Sequence, residues 1–394
     1  MRLTSSATEN STEYDQMNTV IINAQKPKIG DLYQKGYLYL LTLLLVLMGI
    51  TQSVRAETIT IGKGSGIIWE GMPFNETLSG PLNSPTLVTT YGLLSISNVF
   101  GGCARSAAMT ANIGGYKALQ IAPGVGLIPR ASGTVSYVLY DGTPDSITGT
   151  IGLPETKGKV ASGMTVYSPT GLEWCLPPSF FGSSTFYKAD GERIAQIAGS
   201  WVLVADGTQV SSEAIIPAMY FGSFSNVSSG DKGVTILPPS ITLRISTLEC
   251  TVSTPTMINF GSVERLTQVG AELATYSSPI MTACSQASDR INANINLQFR
   301  ALTSLYENQP TRLALAQGGG YITGEINNGV TGSGVCTGTS GLPFDNSVVK
   351  IGNILATEAT KVINNQLTWR LCSGGTSLPI GNVTASAEML VTFN

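Results

Sequence analysis

Apolar positions recur in short runs broken by Gly, Pro and Asp, and within several runs they alternate with polar residues. The clearest is Ile291-Asn-Ala-Asn-Ile-Asn-Leu-Gln-Phe299, where every second side chain is apolar. Successive side chains of a strand point to opposite faces, so this pattern predicts a strand with one buried face. This strand is expected over Ile291–Leu302, and further strands at Thr58–Ile61, Leu93–Val99, Thr134–Tyr140 and Trp201–Ala205. Helical periodicity is weak. Only Asp190–Ile197 (DGERIAQI) is allowed as a short helix or turn. A double proline at Pro238-Pro239 cannot lie inside a central strand and stiffens a connection. Residues 236–240 therefore read as a linker between a domain at 57–235 and a second at 241–394.

Composition supports an all-β fold of two β-sandwich domains. Charged residues are 12% of the chain, about half the usual share near 25%. Glycine is abundant at 44, and Ser and Thr fill the spaces between Val/Ile/Leu runs, as in sandwiches with many turns. The formal net charge is −3 and no basic block is present, so the footprint of a nucleic-acid binder is missing. There is no histidine. That excludes Ser-His-Asp and Cys-His catalytic units and every His-ligated metal site. No metal, no cofactor and no enzymatic activity are expected.

The apolar segment Tyr37–Ile50 is shorter than the roughly 20 residues of a spanning helix and reads as a signal-peptide core. Lys26, Lys28 and Lys35 precede it, and Val54 and Ala56 stand at the −3 and −1 positions of a cleavage site. Residues 1–56 are thus expected to be a signal peptide with a long n-region, with Met17 as an alternative start. All six cysteines (Cys103, Cys175, Cys250, Cys284, Cys336 and Cys372) lie beyond it, and none forms a CxxC pair. An even count in an exported chain argues for disulfides.

Past residue 240 more specific features appear. Leu248-Glu249-Cys250-Thr251-Val252 is followed by Ile258-Asn259-Phe260-Gly261-Ser262-Val263 and then by Cys284. Near the end, Gly381 precedes an alternating Ala387, Met389, Val391 and Phe393. This region resembles the pilin domain of chaperone–usher fimbriae, with Phe where the family usually has Tyr at the penultimate position. The resemblance implies an incomplete Ig-like sandwich lacking its last strand. Gly381, Ala387, Met389, Val391 and Phe393 would be the surface that a periplasmic chaperone, and later a donor strand, grips. It also implies Cys250–Cys284; keeping each pair within one domain gives Cys103–Cys175 and Cys336–Cys372, although six cysteines permit fifteen connectivities. An ordinary pilin opens with its own donor strand. Here another domain stands in that place, so the chain resembles a two-domain tip adhesin, which only receives a strand.

What that resemblance implies is a protein exported through the periplasm to the fimbrial tip at the bacterial cell surface. Its partners would be the chaperone, the outer-membrane usher, the next fimbrial subunit and a host glycan or glycoprotein receptor. The alternatives are a structural tip or initiator subunit with no ligand, or a secreted carbohydrate-active enzyme. No motif in residues 57–235 names a ligand. Sugar sites combine aromatic faces with polar groups from loops, and the densest such region is Trp174–Arg193, with Trp174, Tyr187, Asp190 and Arg193, approached by a loop at Asp141. The plainer reading is that Trp174 covers the Cys175 disulfide and that the Asp-Gly pairs are turns.

Overall fold

The computed structural model describes residues 57–81, 92–105, 110–178, 188, 190–225 and 230–394. The signal-peptide expectation for 1–56 lies outside them. The described chain is all-β; among the described residues the one helical element is a short 3₁₀ turn at Tyr306–Asn308.

The chain opens with β1 (Thr58–Ile61), β2 (Ser65–Ser79), β3 (Leu94–Ser97) and β4 (Ala104–Arg105). Next come β5 (Thr110–Ile113), β6 (Tyr116–Ala122), β7 (Val125–Val138) and β8 (Pro144–Gly152). The short strands β9 (Lys157–Val160), β10 (Thr165–Tyr167), β11 (Leu172–Glu173) and β12 (Cys175–Leu176) lead into β13 (Ile194–Asp206). The first half closes with β14 (Ser212–Ile216), β15 (Met219–Ser225), β16 (Gly230–Leu237) and β17 (Ile241–Ile245). The second half holds β18 (Glu249–Ser253), β19 (Glu272–Ser285), β20 (Ala293–Ala301) and β21 (Leu313–Ala314). It continues with β22 (Gly320–Ile326), β23 (Asp345–Ile354), β24 (Thr360–Ser373) and β25 (Ala387–Phe393).

In the first half, an eight-stranded sheet built around β7 and β13 faces the sheet β12-β3-β15-β16. Side chains join the two. The Trp201 Nε1–H on β13 donates to the Ile236 carbonyl on β16 at 3.3 Å, and Tyr137 on β7 meets Phe224 on β15 edge-on at 5.9 Å. One apolar cluster runs from Ile59 to Ile245. A second runs from Leu248 to Phe393, between the sheet β18-β19-β24-β22-β21 and strands β25-β20-β23. There Phe299 and Phe344 pack on Trp369 at 6.3 and 6.2 Å. Each fully buried Ile, Leu or Phe adds roughly 1.5–3 kcal/mol to such a core.

The two halves share a sheet, in the order β14-β17-β1-β25-β20-β23. Strand β1 lies parallel to β17 over its whole length and meets β25 at a single register pair, Thr60 with Phe393. Gly62 is required at this crossing, because a Cβ there would fall 2.0 Å from the Leu248 carbonyl oxygen and 2.9 Å from the Phe393 ring.

The three disulfides are Cys103–Cys175, Cys250–Cys284 and Cys336–Cys372. The expectation of a helix or turn over Asp190–Ile197 is corrected in part. The first residues turn, but β13 begins at Ile194, and Arg193, Ala195 and Ile197 alternate inward. The period there is two, and the single Glu-Arg pair ahead of it disguised a strand.

Candidate functional site

The distinctive feature of the second half is the outer edge of β25. On one side β25 is antiparallel to β20, with Ala387 opposite Ala301, Met389 opposite Phe299, Val391 opposite Leu297 and Phe393 opposite Ile295. Period-two geometry puts those four side chains on one face, against the second core. On the other side, among the described residues, β25 meets only Thr60 of β1. Burial follows the pairing. Phe393, beside β1, is buried, while Ala387, Met389 and Val391 pack on the core yet stay half-exposed.

Residues 254–270, which carry the Ile258–Val263 motif, run without strand hydrogen bonding and are mostly exposed. Phe260 packs on the small cluster of Leu315, Leu371 and Leu378, and Asn259 Oδ1 accepts the Gly261 N–H at 2.8 Å. Gly381 is exposed, with φ at +101° and no heavy atom within 4 Å of a Cβ; glycine suits it because of the backbone turn. Among the described residues this edge therefore sets backbone donors and acceptors beside a half-open apolar row, the two kinds of group that strand pairing uses.

The opposite face of β20 and β25 is polar and meets the first sandwich. Glu70 on β2 accepts from Arg130 Nη1 on β7 at 2.5 Å and from Ser200 Oγ on β13 at 2.6 Å. Arg130 also lies 3.5 Å from the Glu388 carboxylate on β25, which pairs with Arg300 on β20. Gln298 Nε2 donates to the Glu70 carbonyl at 3.2 Å and to the Asn346 carbonyl at 2.8 Å. A cleft of about 630 Å³ opens beside this network. The alternation at 291–299 had suggested a solvent-facing row of Asn and Gln; instead Asn296 and Gln298 are buried. Sequence reasoning also passed over Glu70 and Arg130. The available signal was a carboxylate inside the apolar run Gly66–Phe74, since a charge in such a run needs a partner.

The residues expected to bind a receptor are placed as follows. Trp174 is 2% exposed and belongs to the first core, and its carbonyl accepts the Ile96 N–H at 2.9 Å. Arg193 is also 2% exposed, with its guanidinium 4.6 Å from the Phe224 ring centroid. Neither side chain reaches solvent as a binding group would. Tyr187 lies outside the described residues. Asp190 is exposed and 3.9 Å from Lys188. Asp141 is exposed too, and the Thr143 N–H donated to its carboxylate holds it below the usual carboxylate range. Next to it Tyr140, which the sequence reading did not single out, is 73% exposed. Among the described residues no group of three or more Cys, Asp or Glu could hold a metal ion.

No protein-family model and no curated protein matches the chain. Solved structures similar to it include one from work on a chaperone–tip adhesin complex of CFA/I fimbriae, 11% identical over 85% of this chain and 94% of that one, with a TM-score of 0.24. The CupB6 tip adhesin from Pseudomonas aeruginosa is 15% identical, covering 84% and 87%, with a TM-score of 0.28. A mutant of CfaE, the CFA/I adhesin of enterotoxigenic E. coli, is 11% identical, covering 85% and 96%, with a TM-score of 0.17. With identities and scores this low, the functional reading stands on the chain's own geometry.

Proposed function

We propose that this chain is a fimbrial tip adhesin whose second sandwich is completed by a strand from another protein. The observation that carries the reading is β25, paired along one edge and, among the described residues, nearly bare along the other, with Ala387, Met389 and Val391 half-exposed over the core. An apolar row beside unpaired backbone is an aggregation hazard unless something covers it. A periplasmic chaperone strand would cover it first, and the N-terminal extension of the next subunit would replace that strand, a case of strand addition. The segment that would be a donor strand in an ordinary pilin is here β1, already held between β17 and β25. That supports a subunit that receives a strand and gives none, placed at the fibre tip on the cell surface after passage through the periplasm and the usher. The first sandwich would then carry the receptor contact.

The test is periplasmic expression of the chain alone, with a chaperone, and with a donor-strand peptide fused after Asn394. Degradation or aggregation is expected in the first arm and soluble protein in the other two. A soluble, cooperatively unfolding monomer without any added strand would sink the proposal.

A further inference from the structure

We propose that a cleft in the first sandwich, between the β8–β9 turn and the β10–β11 loop, binds an uncharged oligosaccharide, with the Tyr167 ring as its stacking platform. The proposal rests on the adhesin reading and supplies it with a site. The cleft encloses about 490 Å³, within the roughly 300–1,000 Å³ of small-ligand pockets.

Its walls are fixed from several sides. The Gly152 N–H donates to Thr156 Oγ1 at 3.0 Å, and Thr150 Oγ1 donates to the Glu155 carbonyl at 2.8 Å, which sets the β8–β9 turn. In the facing loop, the Leu172 N–H donates to the Pro169 carbonyl at 2.9 Å and the Cys175 N–H to Ser168 Oγ at 3.2 Å. The Cys103–Cys175 bridge and the pairing of β11 with β4 anchor the end of that loop. Trp174, buried at 2% exposure, closes the floor. Groups held on fixed backbone present a ligand with one geometry, which lowers the ordering cost of binding.

The chemistry points to a neutral ligand. Tyr167 is 54% exposed, and Lys157 Nζ sits 5.8 Å from its ring centroid. Each carboxylate at the cleft has a lysine: Glu173 with Lys117 at 2.8 Å and Glu155 with Lys157 at 3.2 Å. Paired charges set up no net field to draw an ion, and an acidic sugar would meet both carboxylates. The same groups still accept from and donate to hydroxyls. An aromatic face flanked by paired polar groups matches a pyranose, with its C–H face against the ring and its hydroxyls toward the rim.

The experiment is a glycan array carrying neutral mannose, galactose and N-acetylglucosamine oligomers beside sialylated and sulfated glycans, probed with the full exported chain made soluble by a donor-strand peptide fused after Asn394. Capture of neutral glycans is expected, with an affinity loss of about tenfold or more in Tyr167→Ala. Tyr167→Phe, which keeps the ring, and Glu213→Ala, exposed on β14 and outside the cleft, should bind like the wild type. Capture of acidic glycans alone, capture of none, or wild-type binding by Tyr167→Ala would overturn the proposal. Rescue of solubility by a fused donor strand does not involve Tyr167. The cleft can therefore fail while that rescue still succeeds, and a failed rescue counts against the adhesin reading itself.

Discussion

Two strands that turn apolar side chains toward a core end in different states. β13 is hydrogen-bonded on both sides, to β2 from Ile194–Ser79 to Asp206–Ser65 and to β7 from Ile194–Ser136 to Ala205–Val125. Its Trp201, Val202, Leu203 and Val204, which alternate between the two faces of the strand, are all fully buried. β25 has β20 along one edge and a single pair with β1 along the other, and its Ala387, Met389 and Val391 remain half-exposed. An apolar side chain is covered by the strands on both sides of its own as well as by the facing sheet. The deficit at β25 thus lies in its flanking strand, while the side chains themselves are suited to a core.

The largest expected effect comes from placing a charge at the covered end of β25, in the core that the open row continues. Phe393→Asp would put a carboxylate at the junction of β1, β25 and Gly62, where an unpaired charge costs several kcal/mol. Chaperone capture and soluble export should both be lost, read as periplasmic yield with chaperone present. Next in size, replacing Cys103 and Cys175 by Ala opens a bridge with a sequence separation of 72 and should destabilise the first sandwich by about 4 kcal/mol on the chain-entropy model. Denaturant unfolding would show the loss there, and β25 should still accept its strand.

A smaller effect addresses the polar contact joining the halves. Arg130→Met removes the nearer cation from the buried Glu70 carboxylate, which keeps Ser200 as a donor and Arg300 at 3.9 Å. A loss of about 2–3 kcal/mol is expected. A double-mutant cycle with Glu388→Gln should show coupling between the sandwiches. The smallest concerns the β23–β24 turn. The Lys361 ammonium, and then the Leu355 N–H, hold the Glu358 carboxyl below its ordinary value. A folded-state pKa below the unfolded one adds stability above the unfolded value, and that stability is lost as pH falls through the folded value. Glu358→Gln should therefore have a slightly lower urea midpoint than the wild type at neutral pH and a matching one at acid pH.

How much of this was legible in the chain depended on whether local pattern or distant contact decided the outcome. β1 runs over Thr58–Ile61 as expected, since alternation and a following glycine turn define it locally. The inward row Ala387, Met389, Val391 and Phe393 was readable for the same reason. The burial of Asn296 and Gln298 was not, because their partners Asn394 and Glu70 are far along the chain. Trp174 and Arg193 look from composition like binding groups, yet both turn inward. Arg193 packs under the Phe224 ring of another strand, and no local pattern reveals that contact. The charge-paired cleft at Tyr167 was equally hidden, since Glu173 on β11 finds Lys117 on β6, far back along the chain, and only the Glu155–Lys157 pair is local.

The central claim is that β25 waits for a strand from another chain, and pulse-labelled amide exchange tests it most directly. Dilute protein would be labelled briefly, before it can aggregate, with and without a saturating donor-strand peptide. The account predicts that the β25 amides facing away from β20 exchange quickly in the lone chain and become protected when the peptide binds, while β13 amides are protected in both. Equal protection of β25 and β13 in the lone chain, unchanged by peptide, would contradict it.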